Sequence, residues 1–193
     1  MTTKVEQKER THESILESAA RLVREKGIGG ASVADVMKGA GLTVGGFYAH
    51  FRSKEALVDA VLRTTAERLR ESLFFEVDDK PEEARIELVL KRYLSAKHRD
   101  EYEKGCPFPS VMSEVGTTAE CYRGVVAEEI SNMAAGLEEH LPTGGALPRK
   151  QAALALVALM VGGLGMARAL RGTRLSDDVL AACRVVGARA FRG

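Results

Sequence analysis

The chain has 193 residues, 45% of them hydrophobic and 28% charged, and 28 Lys/Arg against 27 Asp/Glu leave a formal net charge of +1. That is enough apolar material for one large domain or a small module joined to a larger one, and the balanced charge excludes a polybasic tail or an acidic disordered segment. A modest positive excess sits in front: 12 Lys/Arg against 9 Asp/Glu up to Arg70, then 16 against 18 beyond it.

The amino terminus is polar and acid-containing, with no apolar stretch between a basic start and a cleavage site, so the sequence predicts no secretory signal and a cytoplasmic protein. Lys4, Lys8 and Arg10 read as a disordered polar tail or as an arm for a minor groove. From there apolar residues recur every three or four positions and no strand-like alternation appears, which predicts an all-α chain of about nine helices. Ile15, Leu16, Ala19, Ala20, Leu22 and Val23 mark one face of the first helix, which Gly27 ends. Ser32 opens a second helix with Asp35 completing a weak capping box, and Val33, Val36, Met37 and Ala40 supply its buried side. Gly39 to Gly41 forms a tight turn, Thr43 serves as an N-cap, and a third helix runs to His50 with Phe47 and Phe51 facing the core. Ser53 caps a fourth helix ending near Phe75.

Beyond a polar break at Val77 to Pro81, a helix is predicted over Glu82 to His98. Gly105-Cys106-Pro107-Phe108-Pro109 is excluded from helix interior because each proline lacks an amide donor. A short helix at Ser110 to Val115, a long one at Thr118 to Leu141, another at Arg149 to Leu170 and a last one capped by Ser176 and ending near Phe191 complete the order. Ala152 to Ala167 is uncharged for sixteen residues. A spanning helix needs about 20 apolar residues, and this run is interrupted by Gly162-Gly163 and flanked by arginines and a lysine, so it reads as buried on more than one face and not as a membrane segment.

Cys106, Cys121 and Cys183 are odd in number and lack a C-x-x-C pair, which argues against a disulfide framework or a zinc site. His12, His50, His98 and His140 are scattered, and no Walker, G-x-S-x-G or H-E-x-x-H pattern is present. The expectation is no metal, no cofactor and no enzyme. Two short helices joined by a glycine turn and buttressed by longer helices are instead the helix-turn-helix arrangement, whose second helix enters the major groove. That helix is Thr43 to His50, and its Gly45-Gly46 pair costs about 2 kcal/mol relative to alanine. A backbone brought close to DNA would repay that cost, whereas a fraying first turn would reduce it. Ser32, Thr43, Val44, Gly45, Gly46, Tyr48, His50 and Lys54 are the candidate DNA contacts. Val44 suits a thymine methyl, and Lys54 sits at a helix start that favours phosphate.

The run R-x-x-x-x-I-L-x-x-A-A-x-L at Arg10 to Leu22, S-V-A-D-V at Ser32 to Val36 and A-G-L-T-V-G-G-F-Y-A-H-F-R-S-K-E-A-L at Ala40 to Leu57 resemble the tetracycline-repressor family of bacterial regulators over about the first sixty residues. The resemblance implies a DNA-binding domain at 1–53 and a ligand-binding and dimerisation domain at 54–193. It also implies a homodimer acting as a ligand-responsive repressor on a palindromic double-stranded operator. The last two helices would form the dimer bundle, with Ala155, Leu159, Gly162, Gly163, Val179 and Cys183 as candidate interface positions. An apolar or amphipathic effector would enter among Tyr93, Cys106, Phe108, Met112, Tyr122, Met160 and Met166, with Met133 as a further candidate. Cys106 has two readings: a quiet buried residue, or a redox or electrophile sensor whose thiolate is favoured by amide dipoles at a helix start. A helical interaction module without DNA binding is the remaining alternative.

Overall fold

The structure, a computed structural model, describes residues 3–101, 104–143 and 147–190. Among the described residues there are nine α-helices and no strand: α1 (Lys4–Gly30), α2 (Val33–Gly39), α3 (Lys54–Phe74), α4 (Glu82–Tyr93), α5 (Ala96–Asp100), α6 (Phe108–Thr117), α7 (Arg123–His140), α8 (Arg149–Ala169) and α9 (Arg174–Ala190). The segment Val44–Ala49, expected as a third α-helix, is a 3₁₀ helix, and a 3₁₀ turn at Glu120–Tyr122 precedes α7.

α1 starts before its apolar stripe does. Thr3 Oγ1 accepts from Glu6 N at 3.2 Å and Glu6 Oε2 accepts from Thr3 N at 2.9 Å, a capping box that carries Lys4, Lys8 and Arg10 onto an exposed helical turn and not into a disordered tail. Ile15, Leu16, Ala19, Leu22 and Val23 then bury one side. At Gly27 the backbone takes φ 74° and ψ −178°, the left-handed side that glycine adopts without strain, and the helical ladder breaks there. α2 is capped by Ser32, whose hydroxyl accepts from Asp35 N at 3.0 Å, and is tied to α1 by the Ser18 hydroxyl donating to Val36 O at 2.8 Å. Ser53 caps α3 through Ala56 N at 3.1 Å.

Three helix limits differ from the sequence reading, each for a local reason. The expected helix Glu82 to His98 is two, because Leu94 (φ −90°, ψ 53°) leaves helical geometry and Ser95 restarts the chain by accepting from His98 N at 3.1 Å. The expected helix from Thr118 begins only at Arg123, since Ala119 (φ −125°, ψ 42°) interrupts it. Ser176 does not cap α9: it is fully buried inside that helix, where its hydroxyl donates to Ala167 O at 2.7 Å and accepts from Arg99 Nη1 at 2.9 Å. Pro109 lies in the first turn of α6, where a missing amide costs nothing.

α8 packs against both α7 and α9 through Ala153, Leu156, Val157, Met160 and Leu164. By length and composition α8 could cross a membrane, but half of its apolar window is buried against the rest of the protein. Small residues set the closest approaches: a Cβ at Gly163 would lie 2.7 Å from Cys183 Sγ, and one at Gly136 would lie 2.5 Å from Cε2 of Phe74, at the end of α3. Gly136→Ala should therefore push the Phe74 ring off α7 and destabilise the fold by about 1–3 kcal/mol, read as a lower Tm; an unchanged Tm would show that this contact is loose.

Candidate nucleic-acid interface and effector domain

α2 ends at Gly39 with Ala40 as its C-cap, Gly41 turns the chain at φ 72°, and Leu42 N donates to Met37 O at 2.8 Å, which closes the loop into the 3₁₀ helix. Phe47 is the anchor, 1% exposed, with its ring 6.0 Å from that of Phe51. Fixing Phe47 inward turns Thr43, Val44, Gly45, Tyr48 and Ala49 outward, with Tyr48 75% exposed and Val44 50% exposed. The Tyr48 ring meets that of Phe47 edge-on at 5.3 Å and leaves its other side and its hydroxyl open to whatever docks there. Thr43 has cap geometry but makes no side-chain capping bond, so its hydroxyl is left for another partner.

The two glycines have no reason inside the chain. Neither has positive φ, a Cβ at Gly45 would meet nothing within 4 Å, and one at Gly46 would make only an ordinary contact, 3.7 Å from Met37 Cε. Alanine would fit at both and would favour the helix, so no contact within the described residues accounts for glycine at Gly45.

The flanks of this surface are cationic. Lys54 begins α3, half-buried and next to the exposed Glu55, and Arg52, which was not among the candidates, is exposed just before it. His50 is half-buried, its ring 6.0 Å from that of His12, which stacks on Phe51 at 4.5 Å. Burial, His12 and Lys8 together push the His50 pKa down. Ser32 is committed to its capping bonds, so any contact it makes with DNA is through the remaining lone pair or the helix end it holds.

In the carboxy-terminal half the seven candidate ligand residues separate. Tyr93, Cys106, Phe108, Tyr122 and Met160 are core, whereas Met112 and Met166 face solvent at 40% and 58% exposure. Met133 is also core. An open groove of about 760 Å³ runs between α4 and α9, lined by Leu90, Ser95, Asp177, Leu180 and Arg184 among others, and by none of the seven.

Around Cys106 the chain has built a buried polar knot. His98 Nε2 accepts from Cys106 N at 2.8 Å while its Nδ1 lies 2.7 Å from Tyr93 O, which requires the neutral ring protonated on Nδ1. Burial lowers the His98 pKa to about 4, in keeping with that tautomer. Arg24 Nε donates to Gly105 O at 2.7 Å and Arg168 Nη1 to Cys106 O at 2.8 Å. Cys106 does begin a helix entry, as its sequence suggested, but burial pushes its thiol up and outweighs the nearby Tyr93 hydroxyl, the Phe108 amide and both arginines. Of the two readings of Cys106, burial favours the quiet thiol over the thiolate.

Among the candidate interface positions, Ala155 and Gly162 are exposed and Leu159, Val179 and Cys183 half-buried. Gly163 is not on an outer face: it is buried within the protomer, where its missing side chain makes room for Cys183 and Leu94.

Two family models match the chain, one for bacterial regulatory proteins of the tetR family over residues 15–61 and one for the tetracyclin repressor-like C-terminal domain over residues 82–183. The chain belongs to the tetR family of regulators. It is 44% identical over 50 residues to the HTH-type transcriptional regulator YvdT of Bacillus subtilis, 26% of each chain. It is 45% identical over 49 residues to the HTH-type transcriptional repressor KstR2 of Mycobacterium tuberculosis, 25% of this chain and 24% of that one. The alignment thus spans about a quarter of these curated relatives. A TetR transcriptional regulator from Chloroflexus aurantiacus superposes with a TM-score of 0.81 at 25% identity, over 96% of this chain and 98% of that one. The reduced form of NemR from E. coli superposes with a TM-score of 0.76 at 24% identity, over 90% and 94%.

Because nothing within the protein excludes a side chain at Gly45, Gly45→Ala should leave Tm unchanged or raise it while weakening binding to duplex DNA. Unchanged DNA affinity would remove the argument that this backbone approaches a partner.

Proposed function

We propose that this tetR-family regulator is a cytoplasmic, homodimeric repressor that binds a palindromic operator and lets go when a small apolar or amphipathic effector enters its carboxy-terminal domain. The observation that carries the DNA-binding part is the outward display of Thr43, Val44, Gly45 and Tyr48 on a turn pinned by Phe47, with Lys54 and Arg52 beside it. A core-facing role would have buried Tyr48, and an interaction module without DNA binding would have no use for a glycine held open toward solvent. The reading is of a regulator and not an enzyme.

Dimerisation is supported by what α8 and α9 leave uncovered. Leu154, Ala155, Ala158, Gly162 and Met166 follow one another at helical spacing along the exposed face of α8, and Leu175, Ala182, Val185 and Val186 do so on α9. The two helices pack against each other, so exposed apolar residues lie on neighbouring helices, of the kind that soluble proteins cover. Alanines and Gly162 among them allow close approach by a second copy. A twofold pair places two recognition turns about 34 Å apart, one turn of DNA, or a small extension of it.

For release, α3 is the connecting rod. It starts at the DNA surface with Lys54 and ends inside the carboxy-terminal half, where Arg63 pairs with Glu128 at 2.8 Å, Arg70 pairs with the buried Glu129, and Phe74 rests on Gly136. Arg92 Nη1 donates to Leu73 O and Phe75 O, each at 2.7 Å, tying the same end to α4. An effector that wedges into the core among α4, α7 and α8 moves the end of α3 and with it the separation of the recognition turns. It must bind the released state more tightly, by about 1.4 kcal/mol for each tenfold loss of operator affinity.

Selection from a random duplex pool should enrich a palindrome, bound more weakly by Tyr48→Ala. Ala158→Glu should turn the dimer into a monomer by sedimentation and lower operator affinity. An enriched site without dyad symmetry, or a dimer that survives Ala158→Glu, would contradict this reading.

A further inference from the structure

Where α1 breaks at Gly27, a continuous helix would have joined Ile28 N–H to the carbonyl of Arg24. Each of those two groups is met by α6 instead. The Arg24 carbonyl accepts from the Ser110 hydroxyl at 2.9 Å, and Ile28 N donates to Glu114 Oε1 at 2.9 Å. Gly29 N donates to the other oxygen, Glu114 Oε2, at 2.6 Å, so one carboxylate holds two successive amides in a short, charge-assisted pair of bonds. Ser110 and Glu114 are four residues apart and therefore stack on one face of α6. Gly27 is required twice over: its φ is 74°, and a Cβ there would lie 1.9 Å from Glu114 Oε1. One turn earlier, Arg24 Nε donates to Gly105 O at 2.7 Å in the loop that leads into α6.

We infer that Glu114 is a positioning residue that locks the far end of α1 to α6 and so sets the orientation of the helix-turn-helix module relative to the body of the protein. This deepens the function proposed above and rests on it. α2 is fastened to α1 by Ser18, and α1 carries the apolar stripe on which the module is built, so the hold of α6 on α1 is passed to the recognition turn. A carboxylate gripping two amides and a hydroxyl gripping the matching carbonyl cannot be slid by part of a turn: a rotation of α6 large enough to accommodate an effector loses the bonds together. α6 thereby provides a second link between the halves, separate from α3.

The prediction concerns spacing as well as affinity. With the lock intact, the two recognition turns of a dimer are held at one separation, and with it broken that separation becomes soft. Full-length wild type, Glu114→Ala, Glu114→Gln and Ser110→Ala should be titrated with the selected operator and with versions whose half-sites are one base pair closer or farther. Glu114→Ala should bind the operator about tenfold more weakly, with less discrimination against the altered spacings. Glu114→Gln, which keeps one acceptor, should lie between Glu114→Ala and wild type, and Ser110→Ala should be weakened in the same direction. Hydrogen exchange at Ile28 and Gly29 confirms that the lock has been opened, and Ser110→Ala and Glu114→Gln carry the test if Glu114→Ala does not fold. Folded variants whose Ile28 and Gly29 amides exchange fast but whose affinity and spacing preference match wild type would overturn the inference. Wild type that selects no operator at all would overturn it as well, but by removing the DNA-binding reading beneath it.

Discussion

The apolar stripe of α1 packs against α2 and α3 and, at its far end, against α6, so one helix is core to both halves of the chain. Ile15, Ala19 and Val23 have no exposed surface and leave no slack along it. Interiors packed this closely transmit displacement and do not absorb it. The outward turn at Val44–Ala49 can be small and rich in glycine because its position is fixed from behind, by Phe47 and by the α1–α2 tie.

The same economy explains the uneven use of polar groups. Buried arginines hold the loop that leads into α6, Arg24 and Arg168 on the carbonyls of Gly105 and Cys106, while Arg99 ties α5 to α9 through Ser176 and Asp177, the latter at 2.6 Å. The entry to α6 has two prolines and a glycine, and backbone carbonyls that have no helix to pair with need donors from elsewhere. Arginine supplies them without requiring a second charge to be buried. Around the Val44–Ala49 turn the polarity is reversed: Thr43 and Tyr48 point their tips outward.

The helix-turn-helix was legible because its signals are local. Ser32 and Ser53 cap the helices they were expected to cap, and Phe47 and Phe51 face inward as their spacing required. Where two local signals competed, the sequence was misleading. Ser95 breaks what periodicity made continuous from Glu82 to His98, and Ser176, a good cap by type, is consumed by a buried tie to Arg99. The carboxy-terminal site was the least legible part, because Tyr93, Phe108 and Met160 are of the types that line pockets and are also the types that fill cores. The Glu114 grip on α1 had no sequence signal beyond Gly27, since its partners are backbone amides 85 and 86 residues away along the chain.

The central claim is that two copies of this chain present their Val44–Ala49 turns to one face of a DNA duplex. Guanine N7 methylation protection on the selected operator tests it most directly, because N7 lies in the major groove and each protected position reports where a turn has entered. Two protected clusters should appear in successive major grooves on the same face, about 10 base pairs apart from centre to centre, both lost with Tyr48→Ala. Protection confined to a single groove, or two clusters that persist in Tyr48→Ala, would contradict the claim.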